Sequence, residues 1–574
     1  MPEALQTKGL NAFARTLTLG PSPHPISMLL CESENAKGNA TEKGAILRDR
    51  KSQWRTAGVD LPQGAKWEVR EGQIILHFPA IKQKTTCRVI LARCDDSQSS
   101  TFQNLMKREI IDPTKFTKGG PTRWKQILTT QGKVGKDDQA YVVDDIPGPI
   151  DNPWKSWLRF GALDFFDDGR AAISTWDGDV WIVSGLDREL KSVKWKRFAT
   201  GLMHPLGLKI IKGIIYVAGR DQITKLHDLN GDDEADFHEC FNNDAGLTPQ
   251  RHEYVMDLQV DRAGNLYYCR SGHYTSSQRG ENCCVMRVSP DGKKLSVLAR
   301  GFREPNGMSI SPEGLMTVAD NEGHGVPQTP LYILKENAFY GFTPPGTKKR
   351  SGWRSHEPAL VWIPKTVDRS AGGQVWVTSK KWGPLYGHLL HTSYGHCRLY
   401  HVMIDQVEKT RQGFVTVFPL TFYSGIMRAR FHPKDGQLYL CGLRGWGTKA
   451  AKDGQFCRVR YTGKPFSQPI EMQVTHQGFR LRFDQPLDRK SVEDVENWGG
   501  EFQDVFAKKG RRKRKGDLEV VAVKLSKDGK TVDIELEEIT PVTSVTLLYS
   551  IKNLKGAELS GQIYGTIHRV PKRN

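Results

Sequence analysis

The chain has 574 residues and a formal net charge of +19, and 38% of its residues are hydrophobic, with 14 Trp and 23 Phe in the whole chain. This composition excludes wholesale disorder, and the length exceeds that of one small domain. The longest apolar runs, such as residues 214–218, are far shorter than a membrane-spanning helix. We therefore expect a soluble, folded and β-rich protein of roughly two to four structural units.

The centre of the chain repeats one pattern of short strands and tight turns. Apolar segments with period-2 alternation flank a series of turn glycines that recur about every 50 residues. These glycines are Gly169, Gly213, Gly264, Gly314 and Gly436, with one further, longer copy of the pattern between the last two. Radially repeated β-folds have periods of about 40 to 50 residues. The pattern predicts an all-β fold whose centre is a six-bladed β-propeller over residues 155–466.

The segments outside the repeat differ from it in character. Residues 1–43 are polar and rich in turn-forming residues, which predicts a poorly ordered N-terminal segment. Residues 44–154 are predicted to form a small β module and a linker with one short helix near residues 102–111. Residues 467–574 again alternate like strands, which predicts a small C-terminal module resembling a β-sandwich.

An acidic segment within the second predicted blade has the spacing of a calcium loop. Oxygen-bearing side chains recur at Asp228, Asn230, Asp232, Glu234, Asp236 and Glu239. Hard cations such as Ca²⁺ take six to eight oxygen ligands, so a structural Ca²⁺ site is predicted, with an acidic hairpin turn as the alternative. Asp233 stands where such a loop usually has a glycine with positive φ. The segment falls in the third turn of its blade.

Loops at one end of the predicted propeller collect histidines and arginines. In a four-stranded blade, the loop leading into the first strand and the loop joining the second and third strands lie at the same end, here called the upper face. The loops into four of the blades contain His204, His252, Arg303 and Arg428. The loops between second and third strands contain Asp177, Asp179, Arg220, Asp221, His273, Asn321, His324, His396, Arg444 and Trp446. Arginine binds carboxylates and histidine removes hydroxyl protons, so the upper face is predicted to bind an anionic or hydroxyl-bearing ligand.

One motif in the fourth blade resembles a known family. The sequence Gly-Phe-Arg-Glu-Pro-Asn-Gly-Met at residues 301–308 is followed by Pro-Glu-Gly at 312–314, Asp-Asn-Glu-Gly at 320–323 and Tyr-Gly at 340–341. This combination resembles the soluble quinoprotein glucose/sorbosone dehydrogenase superfamily of six-bladed propellers. It is most similar to an uncharacterised branch of large secreted bacterial proteins that resemble dehydrogenases dependent on pyrroloquinoline quinone (PQQ) or bound to membranes.

The resemblance implies an activity and roles for particular residues. It implies oxidation of a sugar or polyol, with His252 as the base and Arg303 as a contact of cofactor and substrate. It implies PQQ as the cofactor, with Arg444 binding a carboxylate of the quinone. Arg428, His204 and Asn321 are further candidates for cofactor contacts. The implied partners are a small sugar or glycan and an external cytochrome that accepts electrons, and the implied location is periplasmic or extracellular.

Two other functions fit the same loops. The first is a propeller that binds carbohydrate without catalysis, in which Trp446 and Tyr274 stack on sugar rings. The second is metal-dependent cleavage of a lactone or glycan on the upper face. The first 20 residues contain no apolar core of a signal peptide. The basic segment at residues 508–515 is predicted to be a solvated hairpin in preference to a nucleic-acid site.

Overall fold

A computed structural model of the chain describes residues 2–7, 9–110, 112, 117–247, 252–272, 282–343, 356–506 and 514–573. The chain divides into two compact units, residues 1–121 and residues 122–574. Among the described helices, none is both long enough and apolar enough to cross a membrane.

The described residues of the N-terminal unit form nine strands, one 3-10 helix (Asp96–Gln98) and one α-helix. A six-stranded antiparallel sheet has the order β1-β2-β9-β6-β5-β4, and a three-stranded sheet has the order β3-β8-β7. The elements are β1 (Pro2–Thr7), β2 (Leu10–Leu19), β3 (Ile26–Glu32), β4 (Lys37–Thr41), β5 (Gly44–Arg48), β6 (Gln53–Val59), β7 (Lys66–Arg70), β8 (Gln73–Phe78), β9 (Thr85–Arg93) and α1 (Ser99–Met106).

Both faces of the six-stranded sheet are covered. One face packs on the three-stranded sheet through a core that includes Leu47 and Leu76, and the other packs on Phe102 and Leu105 of α1. The prediction that residues 1–43 are poorly ordered is wrong for the described residues, because four strands lie there. The reason is visible in β2, where alternate residues from Leu10 onwards are buried although the segment as a whole is polar.

The second unit begins with the propeller, whose blades are antiparallel sheets of four strands. The first blade consists of β12 (Phe160–Phe165), β13 (Ala171–Thr175), β14 (Val180–Ser184) and β15 (Val193–Ala199). The second consists of β16 (Gly207–Ile211), β17 (Ile214–Ala218), β18 (Ile223–His227) and β19 (Phe237–Asn242). The third consists of β20 (Val255–Val260), β21 (Leu266–Arg270), β22 (Cys284–Val288) and β23 (Leu295–Arg300). A further strand, β10 (Ile127–Thr130), pairs with the outer edge of the first blade.

The remaining three blades complete the ring. The fourth blade consists of β24 (Met308–Ile310), β25 (Met316–Ala319), β26 (Thr329–Ile333) and β27 (Val361–Ile363). The fifth consists of β28 (Ala371–Trp376), β29 (Leu389–Ser393), β30 (Arg398–Val407) and β31 (Thr410–Val417). The sixth consists of β32 (Gly425–Phe431), β33 (Leu438–Leu443) and β34 (Gly454–Tyr461), with β11 (Tyr141–Asp145) as its fourth strand. Each innermost strand contacts the innermost strand of the next blade, and β32 contacts β12. The predicted all-β fold with a six-bladed propeller is confirmed.

The ring is closed by a strand from before the first blade. β11 pairs antiparallel with β34, so the sixth blade combines three late strands with one early strand. Asp144 of β11 is fully buried and accepts hydrogen bonds from Nε of Arg458 at 2.7 Å and Nε of Arg460 at 3.1 Å. The segment predicted as a linker up to residue 154 therefore contains a strand of the propeller.

The C-terminal residues form two further sheets that share one core. One sheet has the order β35-β36-β40-β39, and the other extends the fifth blade in the order β31-β42-β41-β37-β38. The elements are β35 (Glu471–Val474), β36 (Gly478–Arg482), α2 (Arg489–Val492), β37 (Trp498–Gln503), β38 (Lys515–Asp517), β39 (Val520–Leu525), β40 (Thr531–Leu536), β41 (Val542–Lys552) and β42 (Glu558–Ile567). The two sheets enclose an apolar core that includes Phe479, Leu481 and Leu547. That residues 467–574 fold as an independent domain stays a prediction, and most of the basic segment at 508–515 lies outside the described residues.

Candidate functional site

The upper face of the propeller has an apolar floor ringed by aromatic side chains. Leu206, Met427 and Leu443 are buried there and come from the second and sixth blades. Rings from three blades pack on this floor, namely Trp176, Tyr254 and Tyr394. The loops of non-adjacent blades therefore converge near the axis, as the propeller topology requires. An apolar floor with a few polar groups around it is typical of a small-molecule site.

His204 lies beside these rings. Its ring centroid is 5.1 Å from that of Trp176 and 6.2 Å from that of Tyr254. Burial, followed by the nearby charge of Arg220, lowers the pKa of His204, which favours the neutral imidazole. Its Nδ1 is buried and has no hydrogen-bond partner among the described residues. The backbone φ of +45° at His204 turns the loop at this point.

An arginine connects the aromatic floor to the outer edge of the same face. Nε and a terminal nitrogen of Arg159 bind the two carboxylate oxygens of Asp177 at 3.0 and 2.7 Å. The guanidinium carbon lies 3.8 Å from the ring centroid of Trp157 and 5.5 Å from that of Trp176. Bidentate pairing and cation–π contacts fix the guanidinium plane, so this group is held in place before any ligand binds.

The predicted base, His252, lies next to a carboxylate. Nδ1 of His252 is 3.6 Å from Oε1 of Glu304, and the histidine side chain is 38% exposed. Nδ2 of Asn321 lies 3.4 Å from the other carboxylate oxygen of Glu304. A carboxylate beside a histidine orients the imidazole and stabilises its protonated form. The sequence analysis did not assign Glu304 to the site, although it follows Arg303 in the motif that carries the resemblance.

Arg303 is held within its own loop. Its side chain is largely buried, and it contacts a carboxylate oxygen of Glu304 at 3.4 Å and donates to the carbonyl of Glu322 at 3.0 Å. The backbone N–H groups of Arg303, Glu304 and Asn321 all donate to the carboxyl of Asp320. Burial raises the pKa of Asp320 to about 7. These bonds position the loop that carries Glu304, and a contact of Arg303 with cofactor and substrate stays a prediction.

The structure does not place Arg428 on the upper face. Arg428 lies in the innermost strand of the sixth blade, and its side chain is fully buried beneath the floor. Its Nε is 3.5 Å from Oδ1 of Asp257, and a terminal nitrogen donates to Oδ1 of Asn306 at 3.0 Å. The prediction that Arg428 contacts a cofactor is therefore wrong, because its charge is directed into the centre of the ring.

Two other arginines on this face have loose partners. Nε of Arg369 is 3.7 Å from Glu322, and a terminal nitrogen of Arg444 is 3.9 Å from Asp453. These distances exceed those of hydrogen bonds, and the two side chains are 43% and 57% exposed. Both guanidinium groups are therefore available to an incoming anion. His273 and Tyr274, which the sequence analysis named, lie outside the described residues.

The predicted calcium loop joins β18 and β19 at the lower face of the propeller, opposite the upper face. Asp228 accepts hydrogen bonds from the N–H groups of Gly231, Asp232 and Asp233, and Asp233 has a φ of +60°, as its place in the loop requires. The loop therefore folds as a tight acidic turn.

Two of the six predicted calcium ligands have other partners. Glu234 is buried and binds Nε of Arg123 at 2.7 Å, and Glu239 binds Nε2 of His227 at 2.7 Å. Both carboxylates therefore have partners within the protein, and their assignment as metal ligands stays a prediction. Among the described residues, no group of three or more His, Cys, Asp or Glu side chains is arranged to hold a metal ion.

Solved structures of sugar dehydrogenases are similar to this chain. An aldose sugar dehydrogenase from Streptomyces coelicolor in its PQQ-bound form has a TM-score of 0.42 and 11% identity, covering 57% of this chain and 99% of its own. The PQQ domain of a pyranose dehydrogenase from Coprinopsis cinerea has a TM-score of 0.41 and 10% identity, covering 59% and 98%. This chain is similar to sugar dehydrogenase propellers.

A third structure is of the same kind. A Thermus thermophilus protein described as an oxidoreductase (glucose dehydrogenase) has a TM-score of 0.43 and 16% identity, covering 56% of this chain and 99% of its own. No family model and no curated protein matches the chain. Identities of 10% to 16% and TM-scores of 0.41 to 0.43 do not assign an activity to this chain.

Proposed function

We propose that the upper face binds a sugar or polyol and that His252, backed by Glu304, removes a proton from one of its hydroxyl groups. The observation that carries this proposal is the 3.6 Å separation of His252 Nδ1 and Glu304 Oε1 beside an aromatic floor. Aromatic rings stack on the apolar face of a sugar, and the Arg159–Asp177 pair offers hydrogen-bond donors and acceptors to hydroxyl groups.

The residues present also fit the quinone that the family resemblance implies. PQQ supplies a hydride acceptor when it is bound. Arg369 and Arg444, with their exposed and loosely paired guanidinium groups, would bind its carboxylates. Buried polar atoms without a partner among the described residues, Nδ1 of His204 and Oδ1 of Asn321, offer further hydrogen bonds. His252 would hold the substrate proton, and an external cytochrome in the periplasm or outside the cell would accept the electrons.

Calcium is a separate part of the proposal. The side chains of Asp228, Asn230, Asp232 and Asp236 supply oxygen atoms of the kind that a hard cation prefers. Because this turn lies at the lower face, its ion would be structural. A thermal unfolding experiment with Ca²⁺ or a chelator tests it. We expect Ca²⁺ to raise the midpoint for the wild type and to leave Asp228→Ala unchanged, and an equal response of both proteins would refute the site.

One experiment tests both the binding of PQQ and the role of His252 as the base. Purified protein is titrated with PQQ and Ca²⁺ while the quinone absorbance is followed, and dye reduction is then measured with a panel of sugars and polyols. We expect stoichiometric binding and sugar-dependent dye reduction, with binding retained and dye reduction lost in His252→Ala. His476→Ala, which changes an exposed histidine of the C-terminal module, is the matched control and should behave as the wild type. Absence of PQQ binding at micromolar concentration would refute the proposed oxidoreductase activity.

Carbohydrate binding without catalysis is the second candidate. The ion pair of Arg159 with Asp177 favours this function. Because Asp177 compensates the charge of Arg159, the pair attracts an anionic quinone weakly, whereas its donors and acceptors can still bind the hydroxyl groups of a neutral sugar. Under this alternative, calorimetry detects sugar binding that does not depend on PQQ, and His252→Ala retains that binding.

A further inference from the structure

We infer that the sugar site continues from the aromatic floor onto the outer edge of the upper face, so that its ligand is an oligosaccharide or the end of a polysaccharide. This inference rests on the proposed function, since it concerns the substrate of the same site. It depends on two exposed tryptophans, Trp157 before the first blade and Trp446 in the sixth, which the oxidation of a single sugar does not require.

Trp157 is exposed and yet held in a fixed position. Its side chain is 51% exposed, its Nε1 donates to Oδ2 of Asp453 at 3.1 Å, and Arg159 covers its ring at 3.8 Å. An aromatic ring fixed by a hydrogen bond and a cation–π contact loses little conformational entropy when a ligand stacks on it. Trp157 therefore has the properties of a stacking platform outside the floor.

Trp446 is a second platform on the loop between β33 and β34. Its side chain is 89% exposed, and Gly445 and Gly447 flank it. Arg444 of the same loop faces Asp453, the residue that also binds Trp157. This exposed ring offers a second apolar face on which a ligand can stack.

The platforms are continuous with the floor. Arg159 contacts the rings of both Trp157 and Trp176, and Trp176 packs with Tyr254 on the floor. Tyr394 belongs to the floor as well, and its hydroxyl lies so close to Gly445 that a side chain there would collide with it. A ligand that extends outward from the floor therefore meets Arg159, Trp157 and the loop of Trp446 in turn.

The chemistry of this edge fits a saccharide better than a protein surface. Charged groups accompany the rings, because Arg159 contacts Trp157 and Trp176, Asp453 accepts a hydrogen bond from Trp157, and Arg444 belongs to the loop of Trp446. Sugar units present apolar C–H faces and a rim of hydroxyl groups, which matches rings interleaved with donors and acceptors. A docking protein would instead favour a contiguous apolar centre from which charged residues are depleted.

Calorimetric binding of saccharides of increasing length tests the inference. The full-length protein is titrated with glucose, maltotetraose and cellotetraose, and the same titrations are made with Trp157→Ala and Trp446→Ala. We expect at least one tetrasaccharide to bind about 10-fold more tightly than glucose, with each variant losing most of this gain. Tyr386→Ala, which removes an exposed aromatic ring from the turn between β28 and β29, is the matched control and should bind as the wild type.

The possible failures are distinguishable. Binding of glucose with no gain for either tetrasaccharide, or a gain that both tryptophan variants keep, would overturn the extended site and leave the proposed function standing. Absence of binding by all three sugars, with and without PQQ, would overturn both. Because Trp446 is almost fully exposed, Trp446→Ala is expected to fold normally, so its result stands even if Trp157→Ala unfolds.

Discussion

Nε of Arg428 lies 3.5 Å from Oδ1 of Asp257, and both side chains are fully buried at the centre of the propeller. A second guanidinium, that of Arg430, lies 3.2 Å from the same oxygen. Two arginines from the sixth blade thus meet one carboxylate from the third across the axis. Because buried charges require compensation, this network makes the packing of opposite blades interdependent.

Replacing one member of this network should destabilise the propeller strongly. Asp257→Asn leaves Arg428 and Arg430 without their shared counter-charge, and we expect a loss of about 3 to 5 kcal/mol in the free energy of unfolding. Urea unfolding followed by tryptophan fluorescence measures it. Arg480→Ala, which breaks the exposed pair with Asp533, is the control and should cost less than about 1 kcal/mol. Equal effects of the two variants would contradict the buried network.

The ring closure depends on Asp144. Asp144→Asn removes the charge that binds Arg458 and Arg460, and it leaves the nearly fully buried Arg458 with the 3.9 Å contact to Asp435 as its remaining carboxylate partner among the described residues. We expect about 3 kcal/mol of destabilisation and faster proteolytic cleavage between β11 and β12, because an open ring exposes that segment. Limited proteolysis with mass spectrometry locates the cut. An unchanged cleavage pattern would show that the closure does not depend on this residue.

Glu304→Gln separates catalysis from binding. The substitution preserves the shape of the side chain but removes the charge that supports a protonated His252. If the proposed oxidation occurs, we expect the turnover rate to fall about 100-fold, while the sugar dissociation constant changes little. Steady-state kinetics and calorimetry measure the two quantities. Glu313→Gln, in the exposed turn between β24 and β25, is the matched control. A proportional loss of binding and turnover would indicate a structural role instead.

Two histidines, one fully buried and one partly buried, should make stability depend on pH. Nδ1 of His388 is 2.9 Å from Nε2 of His401, and burial lowers the pKa of both, strongly so for the fully buried His401. The unfolded chain, with an ordinary histidine pKa near 6.5, therefore binds more protons than the folded chain below that pH. The free energy of unfolding should fall as pH falls below about 6.5, by up to about 1.4 kcal/mol per pH unit for each histidine.

The pH effect is checked by urea unfolding at pH 7.5, 6.0 and 5.0. His401→Gln keeps a hydrogen-bonding group beside His388 but cannot take up a proton, so its stability should decline less steeply over this range. His24→Gln changes an exposed histidine of the N-terminal unit and should keep the wild-type slope. Identical slopes in all three proteins would refute the assignment to this pair.

Much of the architecture was already present in the sequence. Strand alternation and turn glycines are local signals, so the blades around Gly169, Gly213, Gly264 and Gly314 were predictable from short windows. The same local reasoning placed the acidic segment in a third turn and identified Asp233 as the residue that needs a positive φ.

Only the tertiary structure decided the features that join distant parts of the chain. Asp144 and Arg458 are 314 residues apart, so no local pattern reveals that β11 closes the ring. The sequence alone suggests that Arg428 binds a ligand. In the structure Arg428 is buried and lies beside Asp257 of another blade. Glu304 becomes part of the site only because folding brings it to His252. Periodicity specifies which strands form, whereas the partner of a charge depends on which strands the closed ring brings together.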